Sequence, residues 1–279
     1  MINKKIGFIG AGNMAFSLIG GLIANGCSTD LIYISEPDQE KMKSVAEHFS
    51  ISACDSNTAL VEQVDIVILA VKPQVLKQVC LEIQPSVIKN YPLLVSIAAG
   101  INTESLKNWL STEQAQAQLA IVRCMPNTPA LVQSGATALY ATTAVTEAQK
   151  TDAESIMRAV GLTLWLESEN DMDAVTAVSG SGPAYFFLVI EAIENSAIKL
   201  GLDEKIAHLL AVQTALGAAK MALESDDTAK LLREKVTSPG GTTEKAIGIL
   251  QDGGLEELFN KALSGAKQRS IELSEILGK

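Results

Sequence analysis

Ile6-Gly7-Phe8-Ile9-Gly10-Ala11-Gly12-Asn13-Met14-Ala15 decides the fold of the first half of this chain. Ile6 to Ile9 reads as a short apolar strand. The glycines follow at once, and a helical pattern then runs from Ala15 to Asn25, where Gly26 stops it. A Gly-x-Gly-x-x-Ala pattern set after a strand and before a helix is the dinucleotide-binding fingerprint. Gly10 serves the tight turn. Gly12 removes the side chain that would block a pyrophosphate, and Ala15 lets the helix pack close to the strand.

A second strand, Leu31 to Ser35, follows. At its end an acid bonds the adenosine ribose hydroxyls of NAD, whereas a small or basic residue admits the NADP phosphate. The chain has Ser35-Glu36-Pro37-Asp38. Ser35 suits either cofactor and Glu36 leans toward NADH; the nearest cations are Lys41 and Lys43. Glu36 reads equally well as a solvated residue before a helix begun by Pro37.

Strands and helices then alternate. A helix is expected over Gln39 to Phe49, a short strand over Ile51 to Ala53 and a helix over Asn57 to Val64. Asp65 to Ala70 is apolar without alternation, as in a strand buried on both faces of a parallel sheet. Val71-Lys72-Pro73 closes it, and Pro73 opens the next helix. Leu93 to Ala98, ending in Ala99-Gly100, and Ile121 to Arg123 are further strands. Their ends should share the sheet edge beside the fingerprint, where open α/β sheets bind ligands. Met125-Pro126-Asn127-Thr128-Pro129 follows the last of these. Its prolines stiffen a loop that presents Asn127 and Thr128, either to a nicotinamide or substrate or in a plain crossover. Ala136 to Tyr140 and Leu162 to Leu166 read as late strands joined by a helix, Thr146 to Val160.

Beyond Glu167 the buried strands cease and helices take over. A chain of 279 residues exceeds what one core usually serves. The expected architecture is α/β: a doubly wound Rossmann-type sheet over residues 1–166, then an all-α region over 167–279. Met172 to Val178 is helical. Ser179-Gly180-Ser181-Gly182-Pro183 is expected to break that helix before a long one from Ala184 to Leu200. Phe186, Phe187, Val189, Ile190 and Ile193 nearly encircle the long helix, so it should be buried between subunits of a dimer.

Val236-Thr237-Ser238-Pro239-Gly240-Gly241-Thr242-Thr243-Glu244-Lys245 lies in this helical half. Ser238 and Pro239 break what precedes, and Gly240 and Gly241 let the backbone turn into a helix. The unpartnered amides of that helix start, with the positive end of its dipole, form a seat for an anion. The Thr242 and Thr243 hydroxyls stand at the same place. An ordinary helix cap needs one such residue; the double glycine after Ser-Pro points to a small carboxylate.

Composition narrows the rest. Hydrophobic residues make up 47% and charged residues 19%, a globular balance. Net charge is −10 with no basic block, which argues against nucleic acid as a partner. Cys27, Cys54, Cys80 and Cys124 form no CxxC pair and only His48 and His208 are present, so no metal site is expected. Reduced thiols fit a cytoplasmic protein. The start of the chain carries no signal-peptide pattern, and apolar runs such as Ala184 to Ile190 fall short of the roughly 20 residues of a membrane span.

Five motifs in order resemble those of the pyrroline-5-carboxylate reductase family: Gly10-Ala11-Gly12-Asn13-Met14, Ala70-Val71-Lys72-Pro73, Met125-Pro126-Asn127-Thr128-Pro129, Ser179-Gly180-Ser181-Gly182-Pro183-Ala184-Tyr185 and Ser238-Pro239-Gly240-Gly241-Thr242-Thr243. The resemblance spans nearly the whole chain, and the last motif is the most specific. It implies a Rossmann domain, a helical dimerisation domain, and the last step of proline biosynthesis. In that step NADPH or NADH gives hydride to the cyclic imine 1-pyrroline-5-carboxylate. By resemblance, Gly10 to Met14, Ser35, Glu36, Asn57 and Ala70 to Pro73 belong to the cofactor site. Ala99, Asn127 and Thr128 would lie near its nicotinamide end. Ser238, Gly240, Gly241, Thr242 and Thr243 would hold the substrate carboxylate, with the Thr243 hydroxyl near the ring nitrogen as the catalytic group. Lys72 would orient the nicotinamide ribose or serve as a helix-start cation. Glu36 departs from the small or basic residue of many relatives. Relatives often form rings of dimers.

Two rival readings remain in view. A 3-hydroxyacid dehydrogenase needs a general base, and that family places a lysine on the long helix after its glycine motif. Here Pro183 to Ser196 contains none, and Lys199 stands at the far end. A non-catalytic NAD(P)-sensing protein would have a filled or polar-poor substrate pocket, against which the open Gly240-Gly241 turn argues.

Overall fold

In the computed structural model, which describes residues 2–112 and 116–279, β1 (Ile6–Ile9) is buried at every position. It is the centre of an alternating series. After it come α1 (Asn13–Ala24), β2 (Ile32–Ser35), α2 (Gln39–Phe49), β3 (Ser52–Ala53), α3 (Asn57–Val61), β4 (Ile66–Leu69), α4 (Pro73–Asn90), β5 (Leu93–Ser96) and α5 (Thr103–Leu110). The sheet is completed by β6 (Ile121–Met125), β7 (Gly135–Ala141), α6 (Glu147–Arg158) and β8 (Gly161–Trp165). The strand order is β3-β2-β1-β4-β5-β6-β7-β8. All pairs are parallel except β6 with β7. Ile6 of β1 lies beside Ile32 of β2 and Ile66 of β4, so the chain winds outward in both directions from β1. That reversal opens a crevice at the carboxyl ends of the strands.

Each face of the sheet has its own apolar layer. Leu18, Ile19, Val45 and Ile156 pack with Phe8 and Ile34 on one side; Leu60, Leu76, Ile83, Leu106 and Trp109 pack with Ile9 and Val67 on the other. Side-chain caps fix where the helices begin. Asp38 accepts from Lys41 N at the start of α2, Ser56 accepts from Ala59 N at α3, and Thr146 with Gln149 forms a capping box at α6. Each such cap stabilises its helix by about 1 kcal/mol. Helix α5 was not anticipated by the sequence reading; it begins where the Asn102 side chain accepts from Ser105 N.

A second difference lies in the expected break at Ser179 to Pro183. Helix α7 (Met172–Val175) passes into a π turn over Thr176–Gly180, closed by Ser181 N donating to Thr176 O at 2.9 Å. Then α8 (Gly182–Lys199) begins. The glycine-rich motif is therefore helical. A Cβ at Gly180 would fall 2.5 Å from the Met125 Cε methyl, the flexible end of a side chain that can shift to admit it. Pro183 sits in the first turn of α8, where its missing N–H is harmless.

The remaining helices are α9 (Glu204–Glu224), α10 (Ala229–Lys235), α11 (Thr242–Asp252) and α12 (Leu255–Leu277), with Asp203 and Thr228 capping α9 and α10. The chain divides into two compact units, Met1–Ser181 with Ala266–Lys279, and Gly182–Gly265. The sheet itself ends at Trp165. Within the first unit, Ser270 Oγ donates to Asp173 Oδ1 at 2.6 Å and Ser105 Oγ donates to Gly278 O at 3.1 Å, which anchors the returning segment.

In the second unit α8 packs on α9, and its apolar side chains stay open in the single chain: Phe186 is 69% and Phe187 66% exposed. The expectation was burial between subunits, and within one chain this face is open. By length and composition, the helices Glu169–Lys199 and Glu204–Glu224 could also cross a membrane. The unbroken apolar runs stay short; it is the mean hydropathy along these helices that is high, as it also is in core helices of soluble proteins.

Candidate active site

The carboxyl ends of β1, β2 and β4 border a cleft of about 580 Å³. Gly10 has φ +102°, and a Cβ there would lie 2.7 Å from Ala70 O, so only glycine lets the end of β4 approach. Gly12 N-caps α1. A Cβ on Gly12 would meet nothing within 4 Å, and no side chain caps the helix among the described residues. Open space in front of uncapped helix amides is the donor set that a pyrophosphate needs, so the residues present fit a dinucleotide.

Most of the cofactor residues expected from the sequence meet here. Gly10, Ala11, Gly12, Ser35, Glu36 and Asn57 line the cleft, as do Ala70, Val71 and Lys72. Asn13 and Met14 form the first turn of α1, and Pro73 is the first residue of α4, behind Lys72 as N-cap. Ala99, Asn127 and Thr128 lie outside this cleft: Ala99 is exposed after β5, and the other two follow β6.

Polar side chains at the β2 end form a connected set. Glu36 Oε2 accepts from Ala11 N at 2.9 Å and from Lys41 Nζ at 3.1 Å. Ser35 Oγ donates to Asn57 Oδ1 at 2.9 Å, and Asn57 Nδ2 donates to Glu82 Oε2 at 3.0 Å. Glu82 and Asp55 are lining residues that the sequence reading missed. Asp55 stands just before the Ser56 cap of α3 and was readable from that place. Glu82 is a charge midway along α4 and carries no local signal.

Asn127 is fully engaged. Its Oδ1 accepts from Ala136 N at 2.8 Å, and its Nδ2 donates to Ser179 O at 3.3 Å and Ser179 Oγ at 3.2 Å. The proline-flanked loop is thereby tied to β7 and to the π turn. Thr128 is exposed and opens the 3-10 turn Thr128–Val132. Cys80 and Cys124 are buried; burial pushes the Cys80 thiol up to about 12 and raises that of Cys124 as well, so neither is a nucleophile at neutral pH.

The second unit holds the glycine turn. Gly240 has φ +73°, and Gly241 N donates to Ser238 O at 3.0 Å before α11 begins at Thr242. No side-chain cap closes that helix start among the described residues. One in-chain carboxylate reaches back: Glu244 Oε2 accepts from Gly240 N at 2.7 Å. A groove of about 340 Å³ runs past Gly240, Gly241, Glu244, Lys245 and Gly248. Ser238 and Thr242 are exposed and Thr243 is half-buried. An uncapped start of this kind can seat a carboxylate, and the Thr243 hydroxyl can both donate and accept. Neither histidine belongs to a site: His48 stacks among Phe16 and Phe49, and exposed His208 pairs with Glu194 at 2.8 Å.

Residues 169–273 match the family model described as pyrroline-5-carboxylate reductase dimerisation, and residues 5–100 match the one described as NADP oxidoreductase, coenzyme F420-dependent. The chain is 50% identical over 278 residues to the pyrroline-5-carboxylate reductase of Pseudomonas aeruginosa, covering 100% of both chains. Among solved structures it is similar to a pyrroline-5-carboxylate reductase from Coxiella burnetii, with 45% identity and a TM-score of 0.92 over 98% of this chain and 99% of that one. It is also similar to the Plasmodium falciparum pyrroline carboxylate reductase with NADP bound, at 29% identity and a TM-score of 0.84, over 98% and 99% of the two chains.

Proposed function

The chain belongs to the pyrroline-5-carboxylate reductase family, and from that premise we propose how its own residues serve the reaction. It is an NAD(P)H-dependent oxidoreductase that reduces the cyclic imine 1-pyrroline-5-carboxylate to L-proline, the last step of proline biosynthesis. The bound dihydronicotinamide supplies the hydride. A protonated imine already carries positive charge, so the reaction asks the protein for alignment and charge balance more than for a strong acid.

In this reading the amides at the start of α1 hold the pyrophosphate, with Gly10 to Met14 shaping the turn. Ser35, Glu36 and Asn57 serve the adenosine ribose, and Ala70 to Pro73 line the approach to the nicotinamide end. Asn127 and Thr128, with Ala99, belong to that end, and Asn127 acts there by fixing its loop to Ser179 and Ala136. The substrate carboxylate takes the amides of Thr242, Thr243 and Glu244, flanked by Ser238, Gly240 and Gly241. The Thr243 hydroxyl bonds the ring nitrogen and keeps its proton in place while hydride reaches the adjacent carbon.

The family oligomerises through its dimerisation region, which spans the helices whose apolar faces are open here. We place those faces of α8 and α9 against a second copy and not against lipid, in a cytoplasmic homodimer that assembles further into a ring. Functionally the chain divides at the end of the sheet, with residues 1–166 for cofactor and 167–279 for substrate and dimer.

The observation that carries the substrate assignment is the uncapped start of α11 behind the positive-φ Gly240. Initial rates with synthetic 1-pyrroline-5-carboxylate test it. Thr243→Ala should lower kcat by about 100-fold, the low end for a positioned proton-handling group. Unchanged kcat and KM in that variant would remove Thr243 from the site.

A further inference from the structure

We propose that Glu36 makes this enzyme prefer NADH over NADPH, by fixing a carboxylate where the 2′-phosphate of NADPH would have to sit. The inference rests on the cofactor-cleft reading above and deepens it.

Glu36 is not a loose surface acid. Only 12% of its side chain is exposed. Its Oε2 accepts from Ala11 N at 2.9 Å and from Lys41 Nζ at 3.1 Å, and its Oε1 accepts from Asp38 N at 3.4 Å. Donors from the glycine motif, the turn after β2 and helix α2 thus converge on one carboxylate. It lines the cleft at the end of β2, where a dinucleotide's adenosine ribose lies in this fold. A carboxylate held there keeps lone pairs free for the vicinal 2′ and 3′ hydroxyls of NADH. A 2′-phosphate brings close to two further negative charges at pH 7 into the same place.

Nothing around Glu36 is arranged to receive that charge. The cations lining the cleft, among the described residues, are Lys41 and Lys72, while Glu36, Asp55 and Glu82 supply acids. Lys41 is already paired with Glu36. At the start of α2 the Asp38 carboxylate accepts from Lys41 N at 3.1 Å, which places another acid beside Glu36. For NADPH to bind, Glu36 must leave both Ala11 N and Lys41, or the phosphate must lie against it. Misplaced like charges at a binding site cost enough to shift affinity by about 100-fold.

Calorimetric titration of the full-length protein with NADH and with NADPH, in the absence of substrate, tests this directly. The wild type should bind NADH about 100-fold more tightly. Glu36→Ser should weaken NADH and strengthen NADPH until the two differ by less than about 5-fold. Glu36→Gln keeps the size and removes the charge, and it should narrow the gap even if the serine variant folds poorly. Equal or tighter NADPH binding by the wild type overturns the proposal. So does a Lys41→Met variant that loses NADPH alone, since Lys41 would then be a phosphate clamp. If neither dinucleotide binds, the cofactor-cleft assignment itself falls.

Discussion

Glu169 offers the sharpest test of how the first unit is held together. It lies in the 3-10 turn Glu169–Asp171 after β8, and its carboxylate accepts three bonds. Thr103 N donates at 2.8 Å and Thr103 Oγ1 at 2.6 Å, while Arg123 Nη1 donates at 2.9 Å. The Arg123 side chain is only 6% exposed and that of Glu169 19%. One carboxylate therefore joins the start of α5, strand β6 and the entry to α7. Glu169→Ala would leave a buried guanidinium without its partner, which costs about 3–5 kcal/mol. The stranded Thr103 amide and hydroxyl cost about 1–3 kcal/mol each when buried, but these overlap with the first loss and do not add to it. Taking about 4 kcal/mol and roughly 2–4 °C per kcal/mol for a unit of this size, Tm should fall by about 10 °C.

The assay is thermal and urea unfolding at fixed protomer concentration, since association stabilises the folded state. The paired variant Arg123→Met with Glu169→Leu decides the cause. It removes both charges and fills the space, so it should regain the part of the loss that comes from the unpaired guanidinium, while Thr103 stays without its acceptor. A loss under about 1 kcal/mol in Glu169→Ala, or a paired variant no better than the single one, would refute the buried-charge argument.

Other outcomes follow from single contacts. Gly10→Ala should lower dinucleotide affinity more than 10-fold in calorimetry with far-UV circular dichroism unchanged, because φ +102° and Ala70 O at 2.7 Å leave no room for a Cβ beside the cleft. Glu154 is held below its ordinary value of 4.5 first by Trp165 Nε1–H donation at 3.1 Å, opposed by partial desolvation and helped by bonds from Arg158 and Thr163. Its ionised form thus contributes stability that is whole above pH 4.5 and lost as pH falls through the depressed native value. Trp165→Phe should lower the urea midpoint at pH 6, with the gap to wild type closing on acidification. Cys80 and Cys124, 0% and 1% exposed, should resist a disulfide reagent at pH 8 in the native protein and react fully in urea. Rapid labelling of Cys80 in the native state would show that α4 lifts locally, and of Cys124 that β6 does.

What the sequence reveals and what it conceals differ in physical kind. The core strands were legible because each depends on residues next to one another in the chain. Helix α5 has its cap, Asn102, and its apolar Leu106, Trp109 and Leu110, yet two turns are too few for periodicity to stand out. The π turn was concealed for another reason. Ser179 to Gly182 reads as a breaker, and only the bond from Ser181 N to Thr176 O shows that the helix runs on through it.

Glu36 lies between these cases. Read locally, it serves a ribose or water equally well. The deciding fact is its bond to Ala11 N, a contact between the ends of two strands. Those strands are parallel neighbours with Ile9 opposite Ser35, and Gly10 N donates to Ser35 O at 2.8 Å. The residue after Ser35 must therefore come up beside the glycine turn. Both strands and the helix joining them were readable, so their register was within reach of the sequence. Whether the carboxylate then turns toward the Ala11 amide depends on Lys41 and the Asp38 cap holding it there, and that is set by side-chain reach in three dimensions.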